Sequence, residues 1–387
     1  MHKVYSYGRQ SISRGDIREV VKVLRSPWLT QGPKVAEFER ALCTYTGAKY
    51  AVAVANGTAA LHLAILALGL SPDKEVITSP LTFVASANCA RYAGLSVNFS
   101  DIDEGTACMD PVSLSKQIGP RTRAIVPVHF AGRPCRMQEI ATLARGAGAY
   151  IIEDAAHAIG SDYSGSKVGS CAFSDMTAFS FHPVKTLTTG EGGAVTTNDG
   201  HFHEKLVLLR NHGITKDPAK FSGESDGPWY YEMQELGYNY RITDIQAALG
   251  LSQLKRVQKF VARRREIVRV YRKELSGLDG CSLLSADDDH HTAYHLFPIL
   301  VDFSRLTISR KKMFELLEAK GLRLQVHYIP IHLQPYYRAL GFGPGMFPRA
   351  EAYYQKTISL PLYPALSDGE VKKIAAIVRT LVASHYA

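Results

Sequence analysis

The chain has 387 residues, enough for two or three domains of about 150 residues each. Hydrophobic residues make up 46% and charged residues 21%, a globular composition that excludes a disordered chain. The formal net charge of +9 suits either a phosphate-bearing substrate or a nucleic acid. The densest basic run, Arg263-Arg264-Arg265, is predicted to be a solvated helix face.

The sequence gives no sign of export, membrane insertion or a metal site. Met1–Ser11 lacks the apolar region of a secretory signal, and the longest apolar stretch, Leu61–Leu70, is about half as long as a membrane span. The six cysteines contain no C-x2-C pair, which argues against a zinc ribbon or a redox motif. We therefore expect a cytoplasmic protein with reduced thiols, no bound metal and no membrane partner.

Taken in chain order, the predicted elements indicate an α/β protein. Two amphipathic helices, Asp16–Leu24 and Lys34–Thr46, come first. Seven short apolar runs follow, most of them separated by helix-length segments, which is typical of a mostly parallel seven-stranded sheet. The runs are Ala51–Ala55, Glu75–Ser79, Ser96–Ser100, Ala124–Phe130, Tyr150–Glu153, Asp175–Phe181 and Ala194–Thr197, and the intervening helices include Thr58–Leu68, Phe83–Ala93 and Arg136–Gly146.

The second half of the chain predicts a smaller domain. One long helix over residues 242–275 is expected to link a large α/β domain, 1–250, to a smaller C-terminal α+β domain, 251–387. The small domain is predicted to contain strands at His295–Val301 and Leu322–His327, a helix at Arg310–Lys320 and a closing helix from Asp368. In open α/β sheets, ligands bind at the carboxyl ends of the strands, so the loops there are the expected site.

The loop after the first run places Gly57 and Thr58 at the start of a helix. A helix start exposes unpaired N–H groups and the positive end of the helix dipole, which together bind phosphate. The segment is not a Walker A loop, because no Gly-Lys-Ser/Thr follows, and Asn-Gly-Thr is also an ordinary turn and helix cap. Gly57 and Thr58 are therefore candidate phosphate ligands.

Asp154 and Lys185 follow the fifth and sixth runs. A carboxylate at the end of a buried strand either caps the next helix or faces a cationic partner, and His157 is predicted one helical turn away from it. Lys185 stands between Pro183 and a Gly-rich turn. Desolvation there lowers the pKa of a lysine and makes its amine a nucleophile towards a carbonyl, unless the side chain extends to the surface.

Together these features predict pyridoxal 5'-phosphate (PLP) as the cofactor. PLP needs a lysine for the Schiff base, a carboxylate that pairs with the pyridine nitrogen, and a phosphate site. Lys185, Asp154 and the helix start at Gly57 supply them on successive strand ends of one sheet. Phe83, predicted to open a helix after the second run, can stack on the ring.

Over essentially its whole length the chain resembles the DegT/DnrJ/EryC1/StrS family of PLP-dependent sugar aminotransferases. The matching segments are Trp28–Gly32, Asn56–Thr58, Glu153–His157, Ser180–Lys185, Arg210–Gly213 and Gly237–Asp244. The resemblance implies the PLP-dependent transferase fold type I, the fold of aspartate aminotransferase, with Lys185 and Asp154 as catalytic residues. It also implies that Ser180 joins Gly57 and Thr58 at the phosphate and that His157 contacts the cofactor.

The same resemblance implies a homodimer with shared active sites, in which Asn239 reaches the cofactor of the partner subunit. Gln325–His332, Gln334–Tyr337 and, more weakly, Ser359–Tyr363 resemble the family members of pseudaminic acid biosynthesis. Those enzymes move an amino group from L-glutamate to C4 of a UDP-linked 4-keto-6-deoxy-N-acetylhexosamine, giving UDP-4-amino-4,6-dideoxy-N-acetyl-β-L-altrosamine. The residues implied at the sugar nucleotide are Tyr7, Trp28, Leu29, Thr30, Gln325, Val326, His327 and Tyr328, and Arg241 is a candidate for receiving the glutamate carboxylates.

Two other functions compete with this prediction. The first is amination of another nucleotide-linked 4-keto or 3-keto deoxysugar; a family dehydratase is disfavoured because those enzymes replace the Schiff-base lysine. The second is a nucleic-acid-binding regulator that uses Asp16–Thr46 as a helix-turn-helix. That segment mixes acidic with basic residues and has no clustered basic face, so a nucleic-acid partner is not expected.

Overall fold

The computed structural model describes residues 3–386. The helices are α1 (Arg14–Leu24), α2 (Pro33–Thr46), α3 (Gly57–Ala67), α4 (Ala85–Tyr92), α5 (Pro111–Gln117), α6 (Met137–Ala147), α7 (Gly200–Arg210), α8 (Asp244–Leu254), α9 (Val257–Leu275), α10 (Arg310–Ala319), α11 (Pro335–Arg338), α12 (Pro348–Lys356) and α13 (Asp368–Ser384). The strands are β1 (Tyr5–Ser6), β2 (Tyr50–Val54), β3 (Glu75–Thr78), β4 (Ser96–Phe99), β5 (Thr122–Val126), β6 (Tyr150–Asp154), β7 (Asp162–Tyr163), β8 (Ser166–Lys167), β9 (Met176–Ser180), β10 (Gly193–Thr197), β11 (Ile214–Thr215), β12 (Glu232–Met233), β13 (Cys281–Leu283), β14 (Phe297–Val301), β15 (Leu322–Arg323) and β16 (Thr357–Leu360).

The central sheet has seven strands in the order β2-β10-β9-β6-β5-β3-β4. β10 runs antiparallel to both of its neighbours, and the other pairings are parallel. Each of the seven predicted runs supplies one of these strands. The strands are apolar on both faces because helices cover both sides of the sheet. The predicted α/β class with a mostly parallel seven-stranded sheet is confirmed.

The sequences of α3 and α1 explain the burial of α3 and the position at which α1 begins. α3 is apolar on every side because it packs against β9, β10, α4 and α7, and most of its residues are buried. α1 begins with a capping box, in which Ser13 Oγ accepts from Asp16 N–H and the Asp16 carboxylate accepts from Ser13 N–H. The capping box therefore fixes the point at which the chain enters α1.

The C-terminal part has its own apolar core, formed around β14, β16, α9 and α13 and including Ile299, Ile358 and Val371. Tyr5 of the N-terminal strand β1 belongs to the same core, because β1 pairs in parallel with β15. The division of the chain at residue 250 stays a prediction. Within residues 3–386, no helix combines the length and the apolar character needed to cross a bilayer.

The predicted single helix over 242–275 is wrong. α8 ends at Leu254 and α9 begins at Val257. At the break, Arg256 N–H donates to Gln253 O at 2.9 Å, a bond three residues back, and the Arg256 guanidinium pairs with Asp16 at 2.7 Å. The helix is interrupted by this turn, and its Arg256 links the α8–α9 junction to Asp16 of α1.

The predicted solvated face at Arg263-Arg264-Arg265 is also wrong. Arg264 is 1% exposed, and its Nη1 donates to the carbonyl oxygens of Tyr294, His295 and Leu362 at 2.8 to 3.3 Å. Its neighbours donate to two further carbonyl oxygens, Arg263 to Leu366 O and Arg265 to Thr292 O. The basic run therefore binds backbone carbonyl groups of the C-terminal part.

Three other predicted elements are shorter than expected. The run Ala124–Phe130 ends as a strand at Val126, and its last residue already belongs to the 3₁₀ turn Phe130–Gly132. Of the predicted strand Leu322–His327 only β15 forms, since Gln325 O turns to accept from Ser359 N–H at 2.8 Å. The helix predicted from Phe83 begins two residues later, at Ala85, which leaves Phe83 in the preceding loop.

Candidate active site

A cleft of about 940 Å3 opens at the carboxyl ends of the central strands, where the α/β topology predicts a ligand. The loops that follow β2, β3, β6 and β9 form one wall. The opposite wall comes from Gln325–Ile329 and from Tyr7 near the N-terminus. Of the predicted site residues, the cleft brings together Tyr7, Gly57, Thr58, Phe83, Asp154, His157, Ser180, Lys185, Gln325, Val326, His327 and Tyr328.

The start of α3 forms a cradle suited to an anion. Asn56 caps the helix by accepting from Ala59 N–H at 2.8 Å. The N–H groups of Gly57 and Thr58, in the first turn, have no carbonyl acceptor within the helix. A Cβ atom on Gly57 would lie 2.7 Å from Cβ of Ser180, so this close approach requires glycine. Two backbone donors and the Ser180 hydroxyl therefore surround a space that fits a phosphate group.

Asp154 is the last residue of β6 and is 5% exposed. Its Oδ2 accepts from Ser86 Oγ at 2.5 Å and its Oδ1 from Ala156 N–H at 3.1 Å. The chain continues from Asp154 into turns rather than a helix, so Asp154 is not a helix cap and the predicted helical spacing to His157 is wrong. Asp154 instead lines the cleft, and a carboxylate that pairs with the pyridine nitrogen must lie there.

Lys185 lies in the turn that follows β9, where its backbone N–H donates to His182 O at 2.9 Å. Burial lowers the pKa of its amine from 10.5 to about 8, although the negative charge of Asp154 acts in the opposite direction. A lysine with this pKa has a substantial free-amine fraction near neutral pH. The cleft thus offers a nucleophilic amine, a buried carboxylate and an anion cradle, the three groups that PLP needs.

The histidine side chains in and beside the cleft are polar but uncharged, and one of them, His327, belongs to the wall formed by Gln325–Ile329. Burial lowers the pKa values of His157 and His295 well below the usual histidine range, and it lowers that of His327 to about 3. His157 Nε2 lies 3.1 Å from the Tyr328 hydroxyl, and the Tyr7 and His327 rings are 5.0 Å apart. Near pH 7 these imidazoles are neutral, so this wall suits hydroxyl, carbonyl and amide groups rather than charges.

Five predicted site residues lie outside the cleft lining: Trp28, Leu29, Thr30, Asn239 and Arg241. The structure brings their two segments together, because Leu29 O accepts from Asp244 N–H and Thr30 bridges to Thr243. Asn239 is exposed, and Arg241 Nη1 donates to Asn211 Oδ1 at 2.6 Å. These residues form a surface next to the cleft rather than part of its wall.

Sequence analysis missed several groups in or beside the cleft: Thr82, Ser86, Tyr92, Tyr240, His295 and Gln334. Thr82 stands in the loop before α4 and Ser86 in its first turn, so no helical spacing predicts their contact. His295 is 4.4 Å from His157 between ring centroids, and its loop comes from the distant C-terminal part. No local pattern predicts that contact.

A sequence model of the DegT/DnrJ/EryC1/StrS aminotransferase family matches residues 10–379. The chain belongs to this family. The family assignment confirms the predicted aminotransferase class and favours the enzyme over a nucleic-acid-binding regulator.

Relatives in the DegT/DnrJ/EryC1/StrS family cover nearly the whole chain. The spore coat polysaccharide biosynthesis protein SpsC of Bacillus subtilis is 43% identical over 378 residues, which is 97% of this chain and 96% of SpsC. The UDP-4-amino-4,6-dideoxy-N-acetyl-beta-L-altrosamine transaminase of Campylobacter jejuni is 40% identical over 373 residues, which is 95% of this chain and 94% of that enzyme.

Solved structures of sugar aminotransferases share the fold. PseC of Helicobacter pylori, an aminotransferase of pseudaminic acid biosynthesis, superimposes with a TM-score of 0.91 at 34% identity, covering 99% of this chain and 100% of PseC. A Streptococcus pneumoniae sugar aminotransferase, solved in its PLP form, superimposes with a TM-score of 0.89 at 31% identity and 98% coverage of each chain. The predicted fold type I and the predicted PLP-dependent class are confirmed.

Proposed function

We propose that this aminotransferase moves an amino group from L-glutamate to C4 of a UDP-linked 4-keto-6-deoxy-N-acetylhexosamine, giving UDP-4-amino-4,6-dideoxy-N-acetyl-β-L-altrosamine. The observation that carries the proposal is the position of Lys185, whose amine has a pKa of about 8 and shares the cleft with Asp154 and the Gly57 cradle. The likeness to the C. jejuni transaminase and to PseC supports the sugar.

The residues of the cleft have separate roles in binding the cofactor and in proton transfer. Gly57, Thr58 and Ser180 hold the cofactor phosphate, Asp154 pairs with the pyridine nitrogen, and Phe83 and His157 border the ring. When bound, PLP supplies a ring that accepts electrons and a carbon that carries the amino group between the two substrates. Lys185 Nζ would accept the proton from Cα of the amino donor in the first half-reaction and would deliver a proton to C4 of the sugar in the second.

The uncharged wall supports a neutral sugar. Tyr7, Gln325, His327 and Tyr328 present hydroxyl, amide and imidazole groups, and burial keeps the imidazole of His327 neutral. Such groups bind a keto-hexose through hydrogen bonds without favouring a sugar acid. The net charge of +9 suits the two phosphate groups of the nucleotide.

A second copy of the chain completes the site in this proposal. Trp28, Leu29 and Thr30 adjoin the segment that carries Asn239 and Arg241, all outside the cleft of their own chain. Asn239 then reaches the cofactor of the partner subunit, and Arg241 receives a glutamate carboxylate. The exposure of Asn239 and of Trp28, which is 56% exposed, supports this arrangement.

Direct assay tests the proposal. We expect the purified protein with PLP and L-glutamate to aminate the UDP-linked 4-keto sugar of L-arabino configuration, with the amine detected by mass spectrometry. Lys185→Ala should abolish turnover while the fold is retained, and Asp154→Asn should slow it by orders of magnitude. Much faster amination of the epimeric sugar of gluco configuration would overturn the substrate, and wild-type turnover by Lys185→Ala would overturn the site.

Amination of another nucleotide-linked 4-keto or 3-keto deoxysugar is the second candidate. The 43% identity to SpsC, a protein of spore coat polysaccharide biosynthesis, favours it. A panel of nucleotide keto-sugars, assayed under the same conditions with saturating glutamate, separates the two. The substrate with the highest kcat/KM identifies the function.

A further inference from the structure

Two buried hydroxyl groups stand behind Asp154. Thr82 follows β3 and lines the cleft, and Ser86 lies in the first turn of α4. Thr82 Oγ1 is 2.8 Å from Ser86 Oγ, which in turn is 2.5 Å from Asp154 Oδ2. Thr82 is 3% exposed and Ser86 is fully buried, so water does not compete for these bonds.

The direction of these hydrogen bonds follows from their chemistry. A carboxylate oxygen only accepts, so Ser86 must donate its single proton to Asp154. Ser86 then has lone pairs left, and Thr82 donates to it. The alternative acceptor for Ser86, Phe83 O, is farther away at 3.3 Å. The Thr82 and Ser86 dipoles therefore both point towards Asp154, and each polarises the next.

We propose that Thr82 and Ser86 are positioning residues for Asp154, and this inference rests on the proposed role of Asp154 at the pyridine nitrogen. Ser86 fixes Oδ2, and Ala156 N–H, at 3.1 Å, fixes Oδ1. The carboxylate cannot rotate without breaking one of these bonds. The Asp154 carboxylate is therefore oriented before the cofactor binds, so binding does not include the entropic cost of ordering this side chain.

Loss of the Ser86 hydroxyl leaves Oδ2 of the nearly buried Asp154 without its side-chain donor. Charge-assisted hydrogen bonds are the stronger ones, and we expect Ser86→Ala to weaken PLP binding by about tenfold or more. Thr82→Val removes the hydroxyl that donates to Ser86 and should weaken PLP binding by a few-fold. Both variants should also shift the visible absorption of the bound cofactor and its pH dependence, because that absorption reports on the protonation of the cofactor.

Two control variants separate positioning from packing. Thr82→Ser keeps the hydroxyl and should keep the wild-type PLP dissociation constant and spectrum. Ser161→Ala removes a buried hydroxyl of similar burial, which donates to Gly132 O outside the cleft. It should lower the melting temperature of the apoenzyme and leave the cofactor spectrum unchanged.

The experiment measures the PLP dissociation constant of each apoenzyme by equilibrium dialysis, together with the pH titration of the visible band. Adding Ser86→Ala to Asp154→Asn should change the dissociation constant much less than adding it to the wild type, because its effect passes through the carboxylate. Wild-type binding and spectrum in Ser86→Ala, with altered ones in Asp154→Asn, would overturn the positioning role alone. An unaltered Asp154→Asn would overturn both this inference and the proposed role of Asp154.

Discussion

Lys185 has the pKa of its amine lowered to about 8, against 10.5 for an unperturbed lysine, chiefly because the cleft walls remove water from it. Asp154 opposes this shift, since its negative charge favours the ammonium form. Burial therefore has the larger effect. At pH 7, one unit below this pKa, about a tenth of the amine is free, compared with well under a hundredth for a solvated lysine.

The opposing effects of burial and of Asp154 on the pKa of Lys185 can be measured on the apoenzyme without any turnover. We expect the rate at which an amine-acylating reagent modifies Lys185, followed by peptide mass spectrometry, to rise with a midpoint near pH 8. In Asp154→Asn the charge that favours the ammonium form is gone, so the midpoint should move to lower pH. Exposed lysines of the same sample provide the control. A Lys185 midpoint equal to theirs would contradict the predicted effect of burial.

Among the elements, α9 shares an apolar cluster with the large sheet through Val257 and Val261, and its arginines bind carbonyl groups of the C-terminal part. Arg264 remains cationic near neutral pH although burial lowers its pKa to about 10. Its guanidinium binds three carbonyl oxygens, two of which belong to Tyr294 and His295. His295 packs against His157 in the cleft, so α9 also determines the shape of the active site.

Arg264→Lys keeps a basic group, but its shorter side chain does not bring a nitrogen to the position of Nη1, which donates to all three carbonyl oxygens. We expect the free energy of unfolding to fall by about 2–4 kcal/mol, because buried acceptors lose their charged donor. Urea unfolding of the apoenzyme measures this change. Arg269→Lys, on an exposed position of the same helix, should change stability by less than about 0.5 kcal/mol. Equal stability of the two variants would rule out a special role for Arg264.

The elements that sequence predicts well are those determined by local pattern. Buried parallel strands are continuous apolar runs, and the start of α3 follows from its cap at Asn56, so the sheet and the phosphate cradle can be read locally. At the break between α8 and α9, Arg256 pairs with Asp16, which is distant along the chain. The bond from Ser86 to Asp154 spans 68 residues. Such tertiary contacts leave no periodic pattern, and the arginine run of α9 was misinterpreted for this reason.

On the scale of the whole molecule, the cleft is built from both ends of the chain. β1 pairs with β15, and Tyr7 O accepts from Leu362 N–H at 3.0 Å, so the N-terminal segment is fixed to the C-terminal part beside Gln325–Tyr328. The surface formed by Trp28–Thr30 and the Asn239 segment lies outside this cleft. In the proposed homodimer, this surface contacts the partner subunit.

Subunit mixing tests whether Asn239 serves the partner. Lys185→Ala and Asn239→Ala are each expected to be inactive as homodimers. In a mixed dimer, one site has both mutations and the other combines an intact Lys185 with the partner's intact Asn239. Random exchange of equal amounts makes half of the dimers mixed, so about a quarter of the wild-type activity should return. If exchange is verified by mass spectrometry and no activity returns, Asn239 acts within its own subunit.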